Sequence, residues 1–320
     1  MPLMGEIVCL LTALFWAVSV TMFRAPIAEH GARTVNLAKC AVGALLQGLT
    51  VMTLGLGGEI VAAAPRDLLL LGVSGMVGLS VGDTALFAAV SRLGVHRTLL
   101  LQTLAPVFAA IFAALWIDEV PTPRQALGAA IVLAGVALVV APGRAAAAHA
   151  RPNAVEPDGR DGDGGRATGL SGFARRWALA GIAAAVLAAL GQGTGLVLAK
   201  QGMNELHVVP ASFVRLSAGA LGLLLLAVAG RRLGRVRALA GSRSTLTRLL
   251  PATFLGTYLA LFLMMAGVAL APAALAAVLL ATAPVFSLFI ESSIERRLPS
   301  ARGLAGTLLA VAGVAVLGWR

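Results

Sequence analysis

Ten continuous apolar runs along the chain constrain its fold more than any other feature. An α-helix needs about 20 residues to cross the hydrocarbon core of a bilayer. Because these runs are apolar throughout rather than alternating in polarity, they predict membrane helices and not barrel strands. We expect ten spans, at residues 4–23, 35–55, 68–90, 98–117, 125–142, 178–199, 210–230, 249–270, 274–292 and 302–319.

The composition agrees with an all-α membrane protein. Hydrophobic residues make up 59% of the chain and charged residues only 12%, which is too few to cover the surface of a soluble fold. The net charge of +11 comes mainly from arginines in short blocks between the apolar runs. Such blocks are typical of membrane loops, so the expected partner is a lipid bilayer and not nucleic acid. We expect a multi-pass protein of the cell (plasma or inner) membrane.

The two halves of the chain are copies of one unit. Apolar residues match by chance, so the charged residues, prolines and glycines carry the comparison. Aligned pairs, at offsets of 176 or 178 residues, are Lys39 and Arg215, Gly43 and Gly219, Pro106 and Pro284, Gly128 and Gly306, and Gly135 and Gly313.

This duplication divides the chain into three parts. Residues 1–143 form the first repeat, residues 144–177 a flexible polar linker, and residues 178–320 the second repeat. The linker is rich in Gly, Asp and Arg and has no apolar period, which is typical of mobile segments. Since each repeat has an odd number of spans, the second copy enters the membrane from the opposite side. Inverted five-helix repeats of this kind are typical of secondary transporters, which bind substrate between the halves near mid-membrane.

The stretch 103–139 and its copy resemble the EamA type of the drug/metabolite transporter superfamily. A proline-containing fourth helix is followed by an acidic residue, Pro-Thr and a glycine-rich fifth helix. These residues are Pro106, Glu119, Pro121, Thr122 and Gly128. The second copy departs from the pattern, with Arg297 at the position of Glu119. The resemblance implies export or exchange of metabolites, amino acids or drugs by alternating access. It also implies a central cavity lined mainly by helices one, three, four, six, eight and nine.

Charged residues inside the spans are the first candidates for the substrate path. Lys39 and Arg215 each lie a few residues inside a span. They either reach back to the interface or face the cavity and bind an anionic group. Asp83 is the deepest acid, on a helical face with Ser80 and Thr84. Because an apolar environment favours a neutral carboxyl group, Asp83 is a candidate for proton coupling; the alternative is a structural partner for Lys39.

Further candidates are large semi-polar residues and two prolines. Trp16 and Gln192 occupy matched positions in the first and sixth spans, and Gln102 and Tyr258 also lie within spans. We expect Pro106 and Pro284 to interrupt backbone hydrogen bonding in the middle of their helices, as hinges for gating or as fixed kinks.

The sequence contains no enzyme motif and no metal-ligand spacing, so we expect neither catalysis nor a cofactor. The expected function is secondary transport of a small-molecule substrate. The alternative is a lipid-translocating or non-transporting scaffold protein. The loop charges and the family resemblance give opposite predictions for the side of the membrane on which the termini lie. Arginines concentrate in the loops after the odd-numbered spans, which predicts termini outside the cell, whereas the resemblance implies cytoplasmic termini.

Overall fold

The protein is described by a computed structural model. It describes residues 4–117, 122–140, 164–203, 206–270, 279–296 and 298–318. Residues 144–163 of the predicted linker, together with Glu119, Pro121 and Arg297 of the predicted motif, lie outside these ranges. Within them, every regular element is a helix.

The helices of the first repeat include one segment of π-helix. They are α1 (Met4–His30), α2 (Ala32–Thr53), α3 (Gly57–Ala62), α4 (Pro65–Ser74), π1 (Gly75–Gly82), α5 (Asp83–Leu93), α6 (Val95–Gln102), α7 (Ala105–Ile117) and α8 (Pro123–Val140).

The helices of the second repeat follow the same order. They are α9 (Gly164–Met203), α10 (Val208–Ala229), α11 (Leu233–Gly241), α12 (Arg243–Thr253), π2 (Phe254–Leu259), α13 (Ala260–Leu270), α14 (Ala283–Glu295) and α15 (Ala301–Gly318).

Helix length and hydropathy establish a multi-pass membrane protein. In the described part of the chain, 7 helical stretches are long and apolar enough to cross a bilayer, and shorter apolar helices cover Ala126–Val139 and Ala301–Val316. Outward-facing side chains such as Leu45 and Leu115 are 63% and 68% exposed, as expected for lipid-facing surface. The total of ten spans remains a prediction.

Several helices run past their predicted ends. The largest difference is α9, which begins at Gly164, inside the predicted linker. Ala, Arg and Leu at 174–180 are strong helix formers, which allows the helix to begin ahead of the apolar run that starts at 178. The glycine-rich stretch 164–172 does not explain why it begins as early as Gly164. Hydropathy marks where a helix enters lipid and not where its hydrogen bonding stops.

Contacts between the halves occur twice with the partners exchanged. A Cβ on Gly135 of α8 would lie 2.7 Å from the carbonyl oxygen of Gly306, and a Cβ on Gly313 of α15 would lie 2.9 Å from that of Gly128. The same reciprocity relates α2 and α10, which pack against each other. Exchanged contacts of this kind mean that an approximate twofold axis relates the repeats.

Each repeat contains a wide helical turn at the matched place. The segment π1 joins α4 to α5, and π2 joins α12 to α13, so that two long rods form, Pro65–Leu93 and Arg243–Leu270. In both, the backbone N–H bonds five residues back, from Asp83 to Gly78 and from Ala260 to Leu255. Such turns insert a residue into the helix and occur mostly at functional sites.

Candidate functional site

A small cavity lies between the repeats, bounded by α1, α2 and the two rods. The space between its lining residues, including the part that is open to solvent, is about 230 Å³. Its polar lining comes from Ser19, Lys39, Asp83 and Thr257, and its aromatic lining from Trp16, Phe23 and Phe87. A mixture of apolar walls and a few polar groups is typical of small-molecule sites.

Asp83 is the centre of the polar lining. The Lys39 ammonium forms an ion pair with its Oδ2 atom, and the Gln192 Nε2 atom donates to its Oδ1 atom at 2.5 Å. Lys39 and Asp83 are only 6% and 5% exposed. The Lys39 Nζ atom also lies 5.3 Å from the ring centroid of Phe87, within cation–π range. The structure therefore confirms the predicted pairing of Lys39 with Asp83 and adds Gln192 to it.

The π1 segment explains how Asp83 is positioned. Because the Asp83 N–H bonds to Gly78, the carbonyl of Leu79 loses its usual helical donor. The Asn36 Nδ2 atom replaces that donor at 2.8 Å and also donates to the Thr84 hydroxyl at 2.9 Å. Thr84 thus holds the helix rather than lining the cavity. Asn36 was not predicted, although it lies one turn before Lys39 on α2.

Arg215 is buried close to this cluster, and it forms no ion pair with any residue that the structure describes. It is 4% exposed, and its Nε and Nη1 atoms have no hydrogen-bond partner in the described part of the chain. A Cβ on Gly78 would lie 3.7 Å from its Nη2 atom. The Asp83 charge acts on the guanidinium only from a distance. Neither Arg215 nor Lys39 reaches the surface, so the interfacial reading of both residues is wrong.

The comparison with known protein families now decides the family. The EamA-like transporter family matches residues 3–141 and again residues 179–319. This chain belongs to the EamA-like transporter family. It is therefore a transporter-like membrane protein of the drug/metabolite transporter superfamily. No curated protein sequence matches it.

A solved structure shows the same fold for this EamA-like protein. That crystal structure is 18% identical in sequence and has a TM-score of 0.60. The match covers 98% of this chain and 94% of the other. At this identity the likeness concerns the fold alone.

The cavity of this EamA-like protein agrees in part with the lining that the resemblance implies. Helices one, three and eight contribute, as α1 and the two rods. The second helix, α2, also contributes, through Lys39. From the sixth helix, α9, Gln192 reaches Asp83 behind the cavity wall. Helices four and nine supply none of the lining that the described residues provide.

Three predicted path residues bond to neighbouring helices instead of lining the cavity. The Ser80 hydroxyl donates to the Gly219 carbonyl at 2.8 Å, and Gln102 Nε2 donates to the Ala185 carbonyl at 3.4 Å. The Tyr258 and Thr50 hydroxyl oxygens lie 2.8 Å apart. Semi-polar residues inside spans are thus divided between the cavity and helix packing, and only the tertiary structure separates the two roles.

The two prolines lie where their helices are interrupted. Pro106 and Pro284 are the second residues of α7 and α14, and each follows a two-residue turn. A proline in the first turn of a helix has no hydrogen bond to lose, because that N–H has no helical acceptor anyway. The apolar span nevertheless continues through the turn, from Val95 to Phe112, so Pro106 lies inside its span, at an interruption of the helical hydrogen bonding as expected. The fourth and ninth helices are interrupted before the proline, and the role as hinges stays a prediction.

Polar contacts also join the repeats at one set of helix ends. The Glu291 carboxylate of α14 accepts the backbone N–H groups of Val95 and His96, at 2.9 and 3.1 Å, where α6 begins. Beside α1, the Thr245 hydroxyl donates to Glu29 at 2.9 Å. A carboxylate at a helix N-terminus stabilises the unpaired N–H groups there. These contacts hold this end of the interface between the repeats closed.

Proposed function

We propose that this EamA-like protein is a secondary transporter in the plasma or inner membrane. It exports or exchanges a small polar or amphipathic metabolite by alternating access. The observation that carries the proposal is the cavity between the repeats, in which a buried ion pair faces aromatic walls. Buried charges inside a membrane are expensive and usually mark a transport pathway.

The cavity lining indicates how a substrate binds. Lys39, Asp83 and Ser19 offer charged and hydroxyl groups to the polar end of a solute. Trp16 and Phe87 offer flat apolar surfaces to the rest of it. Its place between two repeats related by a twofold axis is where many secondary transporters bind their substrates.

Two energy sources are considered, a proton gradient and the gradient of the substrate itself. They require different behaviour of Asp83. In this conformation both carboxylate oxygens accept hydrogen bonds, from Lys39 and Gln192. Asp83 is thus engaged by two groups of the protein itself, which supports facilitated diffusion or exchange. Proton coupling requires Asp83 to lose these partners in another conformation and to take up a proton there. A lipid-translocating or scaffold role is less well supported, because it has no use for a small charged cavity.

Flux into vesicles tests the proposal. The purified protein is screened for thermal stabilisation by metabolites, and the stabilising compounds are followed in proteoliposomes. We expect saturable flux that falls in Trp16→Ala and is unchanged in Arg235→Gln, which removes an exposed charge on α11. If no solute moves faster than into protein-free vesicles, transport is the wrong function.

The variant Asp83→Asn separates the two energy sources. Under proton coupling it abolishes accumulation against a gradient and leaves exchange of labelled for unlabelled substrate intact. Under simple exchange, wild type itself shows no accumulation driven by a pH gradient. Accumulation by the Asn variant with an unchanged pH dependence rules out coupling through this residue.

A further inference from the structure

The buried charges of the described residues do not balance. Among the described residues, the buried Lys, Arg, Asp and Glu side chains are Lys39, Asp83 and Arg215. Two of them are cations and one is an anion, so the centre of the protein carries one excess positive charge. A buried charge without a counter-charge is strongly unfavourable in a low-dielectric interior. One additional anion would therefore make the net charge of these buried groups zero.

The excess charge is located on Arg215. Its Nε and Nη1 atoms are buried without a hydrogen-bond partner among the described groups. The helix that carries it packs closely against π1, since a Cβ on Gly75 would lie 2.1 Å from the Arg215 carbonyl oxygen. A guanidinium has five N–H donors in a planar fork that fits a carboxylate. The Nε and Nη1 donors of Arg215 thus have no acceptor among the described residues.

A single carboxylate, that of Asp83, interacts with both buried cations. Asp83 is paired with Lys39, and its charge also acts on Arg215 from a distance. The two cations occupy matched positions of the repeats, but the residue matched to Asp83 is Leu261. The second repeat therefore supplies a cation without its acid. Lys39 lines the cavity and Arg215 does not, so a solute meets Lys39 first.

From this balance we propose that the transported solute is a small organic anion with one carboxylate or an equivalent oxyanion. This inference rests on the proposed function and names the substrate class of the same site. The solute's anionic group takes the place of Asp83 on Lys39, and Asp83 then serves Arg215. Two cations and two anions make the loaded centre neutral. Trp16 and Phe87 pack against the apolar part of the solute.

Sets of compounds with the same carbon skeleton test the charge requirement. The probes are propanoate, propanamide and propylamine, and phenylacetate, phenylacetamide and 2-phenylethylamine. Thermal unfolding of the purified protein is measured with each probe at equal ionic strength. We expect the acid of at least one set to raise the unfolding temperature and the amide and amine of that set to have no effect. An amide or amine that stabilises as well as its acid overturns the inference, as does a lack of effect from both acids.

Variants of Arg215 test its part in binding. Arg215→Met retains the length of the side chain and removes the charge. We expect it to weaken the apparent affinity for the stabilising acid by roughly tenfold or more, as the loss of a charge-assisted contact does. Arg215→Lys should retain part of that affinity. An unchanged affinity in Arg215→Met contradicts the inference.

The stability of the empty protein is an independent measure. Since Arg215 carries the uncompensated charge, Arg215→Met should leave the unfolding temperature unchanged or raise it. Asp83→Leu should lower it, because two buried cations then lack an acid. If Arg215→Met lowers the temperature as much as Asp83→Leu does, or does not fold, Arg215 is already compensated and the inference is wrong.

Flux measurements distinguish failure of this inference from failure of the proposed function. Proteoliposomes that transport an amine or a neutral solute, but no acid, show that the protein is a transporter with another substrate class. Proteoliposomes that transport nothing show that the proposed function itself is wrong.

Discussion

Two contacts between the repeats occupy matched positions but differ in character. In the α9 contact, α9 packs on the Pro65–Leu93 rod, and the Ser74 hydroxyl donates to the Gly195 carbonyl at 2.5 Å. In the α1 contact, α1 packs on the Arg243–Leu270 rod, and the Ser19 hydroxyl donates to the Ala252 carbonyl at 2.8 Å. The offsets of the repeat match Ser19 with Gly195 and Ser74 with Ala252. Donor and acceptor have thus been exchanged between otherwise equivalent contacts.

The difference shows how one packing geometry can serve two purposes. In the α9 contact, glycines face each other, and a Cβ on Gly195 would lie 3.0 Å from the Cα atom of Gly78. In the α1 contact, Ser19 faces Gly256, and both residues line the cavity. Facing glycines let helices approach closely and seal the interface. A serine in place of one glycine keeps the approach and leaves a hydroxyl group beside the cavity.

The largest expected effect comes from replacing Asp83 of the first repeat with leucine, the residue at the matched position of the second repeat. Asp83→Leu copies the matched Leu261 and leaves Lys39 and Arg215 without an acid. We expect a loss of about 3–5 kcal/mol in stability, as for other buried charges that lose their partner. Adding Lys39→Met should recover a large part of it. Additive losses in thermal unfolding of the single and double variants would contradict the pair.

Closeness of packing is tested at a position where the repeats differ. Gly75 matches Thr253, which already has a side chain, so α10 approaches π1 more closely than α2 approaches π2. A Cβ on Gly75 would lie 2.1 Å from the Arg215 carbonyl oxygen. We expect Gly75→Ala to cost about 1–3 kcal/mol through overpacking.

The matched control for Gly75→Ala is Gly234→Ala on the exposed α11. A Cβ there meets nothing within 4 Å. Alanine is the better helix former, so Gly234→Ala should stabilise by up to about 1 kcal/mol. The two variants should therefore shift the unfolding temperature in opposite directions. A shift in the same direction would mean that helix propensity and not packing decides at Gly75.

The α1 contact is tested by exchanging its serine for the glycine of the α9 contact. A Cβ on Gly256 would lie 1.9 Å from the Ser19 Oγ atom and 2.3 Å from its Cβ atom. We expect Gly256→Ala to cost about 1–2 kcal/mol. The cost should fall in the Ser19→Gly background, which removes both clashing atoms. A cost that is independent of residue 19 would show that the two side chains do not limit this contact.

The smallest expected effect concerns the two exchanged hydrogen bonds. Ser74→Ala and Ser19→Ala each remove one hydroxyl that bonds to the facing helix. Hydrogen bonds between membrane helices contribute about 0.6 kcal/mol on average. Both variants should therefore lose a similar small amount of stability. Only Ser19→Ala should alter flux, because only Ser19 lines the cavity.

The sequence predicted those parts of the site that depend on repeat matching and on charge. The offset of 176 residues paired Lys39 with Arg215 and Trp16 with Gln192, and depth along the spans brought Lys39 to Asp83. Each of these steps uses only position along a helix. The membrane class followed from the apolar runs and the composition, and the family resemblance from the stretch 103–139 and its copy in the second repeat.

Features that depend on irregular backbone were not predicted. The role of Asn36 exists only because π1 frees the Leu79 carbonyl, and no residue type in 75–82 marks a π-helix. The breaks at the prolines were expected, but not that they would take the form of a two-residue turn that places Pro106 and Pro284 in the first turn of a new helix. Ser80 and Tyr258 have the polarity of path residues, but contacts with Gly219 and Thr50 give them packing roles.

The matched π-helices π1 and π2 also indicate whether the extra residue was inserted before or after the duplication of the repeat. An extra residue inside a helix arises by insertion, and π1 and π2 lie at the same place in the two repeats. A single insertion in the ancestral unit accounts for both, so it preceded the gene duplication. The flanking residues diverged afterwards, to Asp83 in one copy and Leu261 in the other. The two repeats therefore share the irregular helix and differ in the charge that stands directly after it.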